Sequence, residues 1–415
     1  MTSRCSEDTR QGHGSRCISL RRGGKIRARL VPVGTKAAVA IVVLTALGCS
    51  SGSVAPVRPS RPDLVFPLDA SLTTPGGIWA IVAMGHLHQP LNTFWQLFHL
   101  AAGTARWTLA TPPSVASTGG MYATTAGPAG DSLLVGFGPS NLLRFSPLAE
   151  SANGGSSWST GFLPSGLAPR ASSLAAASDG RLIALLSADQ GEVVTGSVGL
   201  SSWAAQVTGG QLATATGGRS CLVKEVTAVG FTASGQELLG AACGRPGVAG
   251  ILAERDGGWL IVGPQVPSVL RDEAVTVVGF EHLGDLTTAV LAGEGSDGLT
   301  IVASSTTNGN HWSSSPSLHL GSSFLTSIGP AMGHSLFVLS ESRAGQENLE
   351  VTHGPAGSWI QDGDVPAGTS TVAFGPGRVD ALAAHDSTLT DWRLQSGTWH
   401  EAQVIDVPIQ YGSSA

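Results

Sequence analysis

The stretch Ser151-Ala152-Asn153-Gly154-Gly155-Ser156-Ser157-Trp158 decides the fold of this chain, because it recurs. A looser copy runs Ser305-Thr306-Thr307-Asn308-Gly309-Asn310-His311-Trp312. Weaker copies keep the closing tryptophan, and they end at Trp107, Trp203, Trp259, Trp359 and Trp399. Each copy joins small, turn-forming residues to a Trp, which indicates a repeated unit of structure.

The closing tryptophans are spaced by roughly 40 to 56 residues, the length that four short strands and their turns fill in one blade of a β-propeller. Several are preceded by stretches with the pattern strand, turn, strand, as in 173–186 and 226–239. Seven Trp-closed units predict seven blades, with six or eight left open because the first unit is poorly patterned. The sequence therefore predicts an all-β propeller over residues 63–415.

Composition favours many short strands over long helices. Of the 415 residues 56 are Gly, and only 13% are charged. Gly supplies the positive-φ positions of tight turns, whereas solvated helices need Glu, Lys and Arg on their outer face. The net charge is −6, and Lys224 is the only lysine after residue 49. Because a protein that binds duplex nucleic acid must neutralise phosphates with Lys and Arg, we expect no nucleic-acid partner.

The N-terminal region has the organisation of an export signal. Residues 1–36 are basic, and residues 37–48 form an apolar run too short to span a bilayer comfortably. The sequence Ala46-Leu47-Gly48-Cys49 resembles a bacterial lipoprotein signal, with Ala46 where the usual pattern has Leu. The resemblance implies that 1–48 is a signal segment with a long basic start, and that 49–62 holds the lipidated Cys49 and a flexible tether. An uncleaved or conventionally cleaved signal is the alternative.

Two cysteines remain for the propeller itself. Cys5 and Cys17 fall in the signal segment and Cys49 carries the lipid, which leaves Cys221 and Cys243. In an exported domain a leftover pair indicates a disulfide, whereas two thiols alone supply too few ligands for zinc. We therefore predict a bond between Cys221 and Cys243.

The pattern Ser-x-Asn-x-Gly-x-x-Trp resembles the Asp box of the bacterial neuraminidase repeat family, with Asn in place of Asp. The resemblance is good at 151–158 and partial at 305–312, where Thr replaces Asp. It implies a turn in which the Asx side chain bonds the backbone two residues on, Gly takes a left-handed conformation and Trp packs between sheets. The roles implied are structural, for Ser151, Asn153, Gly155, Trp158, Ser305, Gly309 and Trp312.

The same resemblance raises sialidase activity as an alternative function. Sialidases bind the substrate carboxylate with three arginines and use a Tyr–Glu nucleophile pair with an acid/base Asp. Here a Phe-Arg-Ile-Pro motif is absent, and Tyr122 and Tyr411 are the only tyrosines. We therefore name no catalytic residue and treat an enzyme as the weaker hypothesis.

Two groups of residues are candidate metal ligands. His86 and His88 fall on one face if their segment is a strand. Asp285, Asp297 and the pair Asp362 and Asp364 stand beside glycines in sequences that Ca²⁺ sites also use. Loop or strand-end histidines and hairpin turns are the better interpretation, so we expect no metal and no cofactor.

These features favour a cell-envelope lipoprotein on the outer face of the membrane, whose propeller binds a protein partner or a glycan. The alternatives are an exo-glycosidase or other propeller hydrolase, and an assembly factor for a membrane complex, which the related photosystem assembly-factor propellers suggest. An enzyme predicts ionisable residues from four or more blades at the channel mouth, and a binding module predicts a small, polar or plugged channel. Phe94, Trp95 and Phe98 are candidate anchors, although core packing explains them as well. We expect a monomer.

Overall fold

Short antiparallel strands make up nearly all of the regular structure. The computed structural model describes residues 64–74, 76–85, 93–112, 117–126, 132–139, 148–160, 171–186, 191–197, 203–385 and 388–405. Within these ranges the chain forms 29 strands and two short α-helices, which confirms the predicted all-β class. The predicted signal segment, Cys49 and the tether lie outside the described residues.

The strands follow one another in antiparallel runs, numbered here in chain order. The first run comprises Leu64–Thr74 (β1), Gly77–Gly85 (β2), Thr93–Ala101 (β3) and Thr108–Leu109 (β4). The second comprises Ser117–Ala126 (β5), Ser132–Pro139 (β6), Leu148–Ser151 (β7) and Ser159–Thr160 (β8). The third comprises Ala171–Ala176 (β9), Arg181–Leu186 (β10), Glu192–Ser197 (β11) and Trp203–Thr208 (β12).

The remaining runs repeat this order. The fourth comprises Val223–Phe231 (β13), Glu237–Cys243 (β14), Gly250–Arg255 (β15) and Gly258–Ile261 (β16). The fifth comprises Val275–Leu283 (β17), Leu286–Gly295 (β18) and Gly298–Thr306 (β19), which pairs with both Ser313–Ser314 (β20) and Leu318–Gly321 (β21). The sixth comprises Phe324–Ala331 (β22), Ser335–Glu341 (β23), Glu347–Thr352 (β24) and Trp359–Asp364 (β25). The seventh comprises Thr369–Gly375 (β26), Arg378–His385 (β27), Thr388–Gln395 (β28) and Thr398–Ile405 (β29).

The second strand of a run is buried on both faces, which explains its composition. In β10 the five residues after Arg181 are Leu, Ile, Ala, Leu and Leu, and all are buried. A strand covered on both faces is continuously apolar rather than alternating. Tight turns join such strands to their neighbours: Gly377, between β26 and β27, has a φ of 70°, which Gly adopts without steric cost.

The runs are arranged in a ring. The first strand of each run lies against the first strand of the next, and β26 lies against β1. Single pairs, Trp95 with Ser117 and Ala242 with Thr276, join the first run to the second and the fourth to the fifth. The seven blades expected from the sequence stay a prediction, and the seven runs of the described residues support it.

Side-chain packing closes the ring. Ile78, Phe98 and Trp107 of the first run share one core cluster with Leu382 and Ile405 of the seventh. No strand pair joins these two runs among the described residues. The closure therefore depends on packing and on the polar contacts around it.

A short helical insert separates the third run from the fourth. It consists of Gly209–Thr214 (α1) and Thr216–Cys221 (α2). Thr208 caps α1, since its hydroxyl accepts from the backbone N–H of Gln211 while the Gln211 side chain accepts from the backbone of Thr208. The structure joins Cys221 to Cys243 in a disulfide, as predicted, with the Cα atoms 5.1 Å apart. Among the residues described, no helix is long and apolar enough to cross a membrane.

Candidate functional site

A cleft of about 340 Å³ lies between the third and fourth runs. Its walls come from the start of β10, the end of β11, the start of β12, the end of β13 and the start of β14. The lining residues are Arg181, Leu182, Thr195, Gly196, Ser197, Trp203, Ala204, Phe231 and Glu237. This volume is at the small end of the range of ~300–1,000 Å³ that is usual for ligand pockets. The cleft has the size for a small ligand or for one end of a larger one.

Arg181 and Glu237 are the ionisable residues of this lining. The Arg181 Nε donates to Asp179 Oδ2 at 2.8 Å, and its Nη2 donates to the Gly235 carbonyl at 2.6 Å. The guanidinium lies over the Phe231 ring, with Cζ 5.3 Å from the ring centroid. These contacts hold the half-exposed guanidinium beside the cleft.

Glu237 faces the cleft with one carboxylate oxygen unpaired. Its Oε2 accepts from Gln206 Nε2 at 3.0 Å. Its Oε1 is buried and has no hydrogen-bond partner among the described residues. Burial raises the pKa of Glu237, and Glu254 adds to that effect, while Gln206 and Arg181 oppose it. A buried acceptor without a partner is costly, because its desolvation is not compensated.

The first strands of the runs, which form the inner ring, carry few ionisable residues. In the described strands these are Asp69 on β1, Lys224 and Glu225 on β13, and Glu281 and His282 on β17. The first strands of the other four runs have no Asp, Glu, Lys, Arg or His. An enzyme was expected to bring such residues to the channel mouth from at least four blades. The described inner strands carry them in three runs, near the start of β13 and near the end of β17, and these strands do not include the loops at the mouth.

Hydroxyl groups join neighbouring strands of the inner ring. Ser173 Oγ on β9 accepts from the Val229 backbone N–H at 3.1 Å. Thr227 Oγ1 on β13 donates to the Val277 carbonyl at 2.6 Å. Ser327 on β22 and Thr371 on β26 share a hydroxyl–hydroxyl bond of 3.1 Å. The inner ring is thus small and polar at these positions.

Known structures identify the fold. No protein-family model matches the chain, and no curated protein matches its sequence. It is similar to the BP39L lectin from Burkholderia pseudomallei, with a TM-score of 0.53 and 14% identity over 82% of this chain and 100% of that one. It is also similar to YCF48 from Cyanidioschyzon merolae (TM-score 0.47, 14% identity, 79% of this chain and 94% of that one). It is similar as well to the β-propeller domain of the Trilobed protease from Pyrococcus furiosus, with a TM-score of 0.48 and 10% identity over 83% of this chain and 96% of that one.

This chain is a β-propeller. The finding confirms the fold class predicted from the Trp-closed repeats. Identities this low show a shared architecture, and the same propeller serves many unrelated functions. The function therefore depends on the residues that this chain places in its cleft and inner ring.

A buried cluster of charges lies on β27 and β28 of the propeller. Asp380 Oδ1 accepts from Arg378 Nη2 at 2.6 Å and from Arg393 Nε at 3.2 Å. Asp391 Oδ2 lies 3.8 Å from Arg393 Nη2 and 4.0 Å from Arg378 Nη2. Neither oxygen of Asp391 has a hydrogen-bond partner in the described part of the chain. Burial, followed by the charge of Asp380, raises the pKa of Asp391 to about 7.

This charge cluster touches the first run. Arg378 Nη1 donates to the Thr104 carbonyl at 3.2 Å. The Trp107 indole lies near Asp391 and opposes the rise in the pKa of that carboxyl. The Trp107 backbone N–H donates to Gln403 Oε1 at 2.9 Å. The cluster therefore belongs to the closure of the ring, and both of its carboxylates are fully buried there.

The turn at 151–158 has the predicted residues with a different bonding pattern. Asn153 Oδ1 accepts from the Ser157 N–H, four residues on, at 2.8 Å, where the resemblance implied a bond two residues on. Ser151 Oγ accepts from the Gly155 N–H at 2.8 Å, and Gly155 has the expected left-handed φ of 82°. Trp158 packs against the core cluster that joins the first two runs. The side chains hold the turn, and none of them faces the cleft.

The second copy is shifted by one residue. Thr306 Oγ1, rather than the expected Ser305 hydroxyl, accepts from the Gly309 N–H at 2.9 Å. Ser305 Oγ instead bonds Thr288 at 2.7 Å on the neighbouring strand. Gly309 has a φ of 75°, and Trp312 packs against the core of the fourth and fifth runs. In both copies a hydroxyl at the start of the turn therefore accepts from the N–H of the turn Gly.

The candidate metal ligands do not form a site in the described residues, where no group of three or more His, Cys, Asp or Glu side chains can hold an ion. Asp285 and Asp297 lie in the turns after β17 and β18, as the turn interpretation expected. Asp362 and Asp364 lie on strand β25 instead, and both are exposed. His86 and His88 fall outside the described residues.

Two of the three candidate aromatic anchors belong to the core. Phe98 is buried in the cluster that closes the ring, and Trp95 packs against the core of the first two runs. Core packing therefore accounts for both, while the side chain of Phe94 is not described. The sequence missed Arg181 and Glu237, since they come from different blades and no local motif joins them. The signal that was available was the Asp179-Gly180-Arg181 turn, where a charged pair flanks a Gly.

Proposed function

We propose that this chain is a lipoprotein on the outer face of the cell membrane, and that its propeller binds an envelope glycan or protein without transforming it. The lipoprotein part rests on the basic start, the apolar run and Cys49. The binding part rests on the composition of the inner ring. Propellers present loops and blade edges around a channel, and contacts with partners are made there.

The composition of the inner ring carries the proposal. Most glycoside hydrolases use two carboxylates that flank the bond, whereas sialidases use a Tyr–Glu pair, an acid/base Asp and an arginine cluster on the substrate carboxylate. In the described strands the ionisable residues of the inner ring come from β1, β13 and β17. The hydroxyls of Ser173, Thr227 and Ser327 form hydrogen bonds between neighbouring strands. Such a lining favours binding over acid–base chemistry.

Binding and turnover are measured on the full-length chain in detergent micelles, with envelope glycan and envelope protein fractions tested separately. We expect saturable binding to one fraction and no release of product from it or from a fluorogenic sialoside. Turnover above the blank would overturn the proposal. So would the absence of binding to both fractions.

The predicted lipid anchor is tested separately, with a matched control. Cys49→Ala removes the residue that receives the lipid, whereas Cys17→Ala changes a cysteine within the signal segment. We expect the first variant to leave the membrane fraction and the second to stay in it. If Cys49→Ala fractionates with membranes as well as the native chain does, the lipid anchor is wrong.

A further inference from the structure

We propose that the cleft between the third and fourth runs binds a neutral polyol, and specifically a terminal pyranose of a glycan. The proposal deepens the binding function above and rests on it. It names the site, Arg181 and Glu237 with the residues between them, and the chemical class of the ligand.

The acceptor is Glu237 Oε1. The other oxygen of the same carboxylate is held by Gln206 Nε2 at 3.0 Å, which fixes the orientation of the group. Oε1 is buried, lacks a partner in the described part of the chain and belongs to a residue that lines the cleft. A small movement of the cleft-lining side chains exposes this oxygen, and pairing it with a ligand O–H then removes the cost of leaving a buried acceptor unsatisfied. The ligand must therefore bring a hydrogen-bond donor to this oxygen.

The donors come from the third run, on β10 and β11. A guanidinium has five N–H groups, and the described contacts of Arg181 use its Nε and one bond from Nη2. The remaining N–H groups are available to an acceptor in the cleft. Thr195 and Ser197, also from this run, add hydroxyls that both donate and accept. The ligand must therefore bring acceptors to Arg181 as well.

The balance of charge selects a neutral ligand. An anion in the cleft meets the carboxylate of Glu237, with Asp179 bonded to Arg181 and Glu254 acting on Glu237 from nearby. A cation in the cleft is repelled by the positive charge of Arg181. A sugar hydroxyl has no charge, donates one hydrogen bond and accepts two, so neighbouring hydroxyls of a pyranose satisfy Glu237 and Arg181 together.

The site is built on rigid elements. Arg181 is the first residue of β10, Thr195 and Ser197 are on β11, and Glu237 is the first residue of β14. The core beneath them joins the third and fourth runs through residues such as Ile183. A site fixed on strands loses little conformational entropy on binding. This favours affinity for a ligand that makes only a few hydrogen bonds.

The test uses the full-length chain in detergent micelles and the free methyl pyranosides of glucose, galactose, mannose and fucose as probes. Binding is followed by ligand-observed saturation-transfer NMR, with sialic acid and arginine as the anionic and cationic probes. We expect at least one neutral pyranoside to bind, and neither charged probe to bind more tightly. Glu237→Gln should weaken that binding about tenfold, because it replaces the charged acceptor with a neutral amide.

A second pair of variants guards against misfolding of the first. Ala204→Phe fills the cleft, whereas Ala205→Phe changes the next exposed residue of β12, which does not line it. We expect Ala204→Phe to abolish pyranoside binding and Ala205→Phe to retain it. Failure of every neutral probe, preference for a charged probe, or native affinity in Ala204→Phe overturns the proposal. If Glu237→Gln and Ala204→Phe bind the envelope fraction as the native chain does, the assignment of the cleft as the binding site is wrong while the binding function stands.

Discussion

Three tryptophans tie neighbouring blades together through the same contact. The indole N–H of Trp312 donates to the Val262 carbonyl at 2.7 Å. Trp359 donates in the same way to Pro316 at 2.9 Å, and Trp399 to Asp364 at 2.9 Å. Each acceptor belongs to the end of the preceding blade. The repeated Trp is therefore a polar link between blades in addition to an apolar filler.

Trp158 provides the matched comparison, because its buried indole N–H has no partner among the described residues. Trp312→Phe and Trp158→Phe remove the same atoms, but only the first breaks a hydrogen bond. We expect Trp312→Phe to lower the free energy of unfolding by about 1 kcal/mol more than Trp158→Phe does. Guanidinium denaturation of both variants measures the difference. Equal losses would show that the link contributes nothing beyond packing.

Among the elements, the helical insert depends on the rest of the propeller for its stability. Helices α1 and α2 have six residues each, too few to be stable alone. The disulfide from Cys221 to Cys243 joins the end of α2 to the end of β14. Gly250 packs directly on it, since an added Cβ would lie 2.7 Å from Cys243 Sγ. The insert is thus fixed by a covalent bond and close packing.

The variant Cys221→Ala/Cys243→Ala tests this support. A crosslink of 22 residues stabilises by about 3 kcal/mol in the chain-entropy description. We expect a loss of that order, with faster amide hydrogen exchange concentrated in α1 and α2. Reduction of the native chain should reproduce the effect. Unchanged exchange in the helices would mean that packing alone holds the insert.

The hairpins were predictable from the sequence, and the insert was not. The pattern in 226–239 gave strand, turn and strand because its apolar and turn residues are local, and β13 and β14 follow it. The segment 209–221 is rich in Gly and Thr, which are poor helix formers, so its helicity depends on the Thr208 cap and the disulfide. The details of the turns also escaped, since Ser305 and Thr306 are equally suited by chemistry to the same bond.

Pairs of charges that meet between strands were harder still to predict. Asp380 lies opposite Arg393 in the β27–β28 register, and Leu382 lies opposite Asp391. The sequence offered one hint, namely charges two residues apart within apolar strands, as in Arg378-Val379-Asp380 and Asp391-Trp392-Arg393. The sequence offered a weaker hint of the cleft, because Arg181 and Glu237 come from different runs and meet only when the ring forms.

At the scale of the whole molecule, closure of the ring is the step that depends on residues far apart in sequence. The first and seventh runs share no strand pair among the described residues and meet through a packed cluster. Around it, Trp107 donates to Gln403, and Arg378 donates to Thr104. Asp391 is buried beside these contacts without a hydrogen bond of its own from the described residues. Its protonation state therefore bears directly on the stability of the closed ring.

The sign of this effect follows from the pKa of Asp391, which burial raises from 3.8 to about 7 in the folded chain. Between these values the folded state holds a proton that the unfolded state has lost, so the stabilising contribution of the protonated acid falls as pH rises. Asp391→Asn keeps the shape of the protonated acid. We expect its advantage in unfolding free energy over the native chain to grow from pH 4 to pH 7 and to level off above pH 7. At one pKa unit per 1.36 kcal/mol, the gain is at most about 4 kcal/mol.

Thermal and denaturant unfolding between pH 4 and pH 9 measures this difference, and the comparison of two chains cancels the titration of the other groups. Asp362→Asn, an exposed carboxylate on β25, serves as the control and should leave the pH profile of the native chain unchanged. Hydrogen exchange at pH 8 should be slowed by Asp391→Asn more in the first and seventh runs than in the middle runs, because the buried charge acts where the ring closes. If the advantage of Asp391→Asn is the same at pH 4 and pH 8, the carboxylate is ionised throughout. In that case Arg378 and Arg393 stabilise its charge more than burial opposes it.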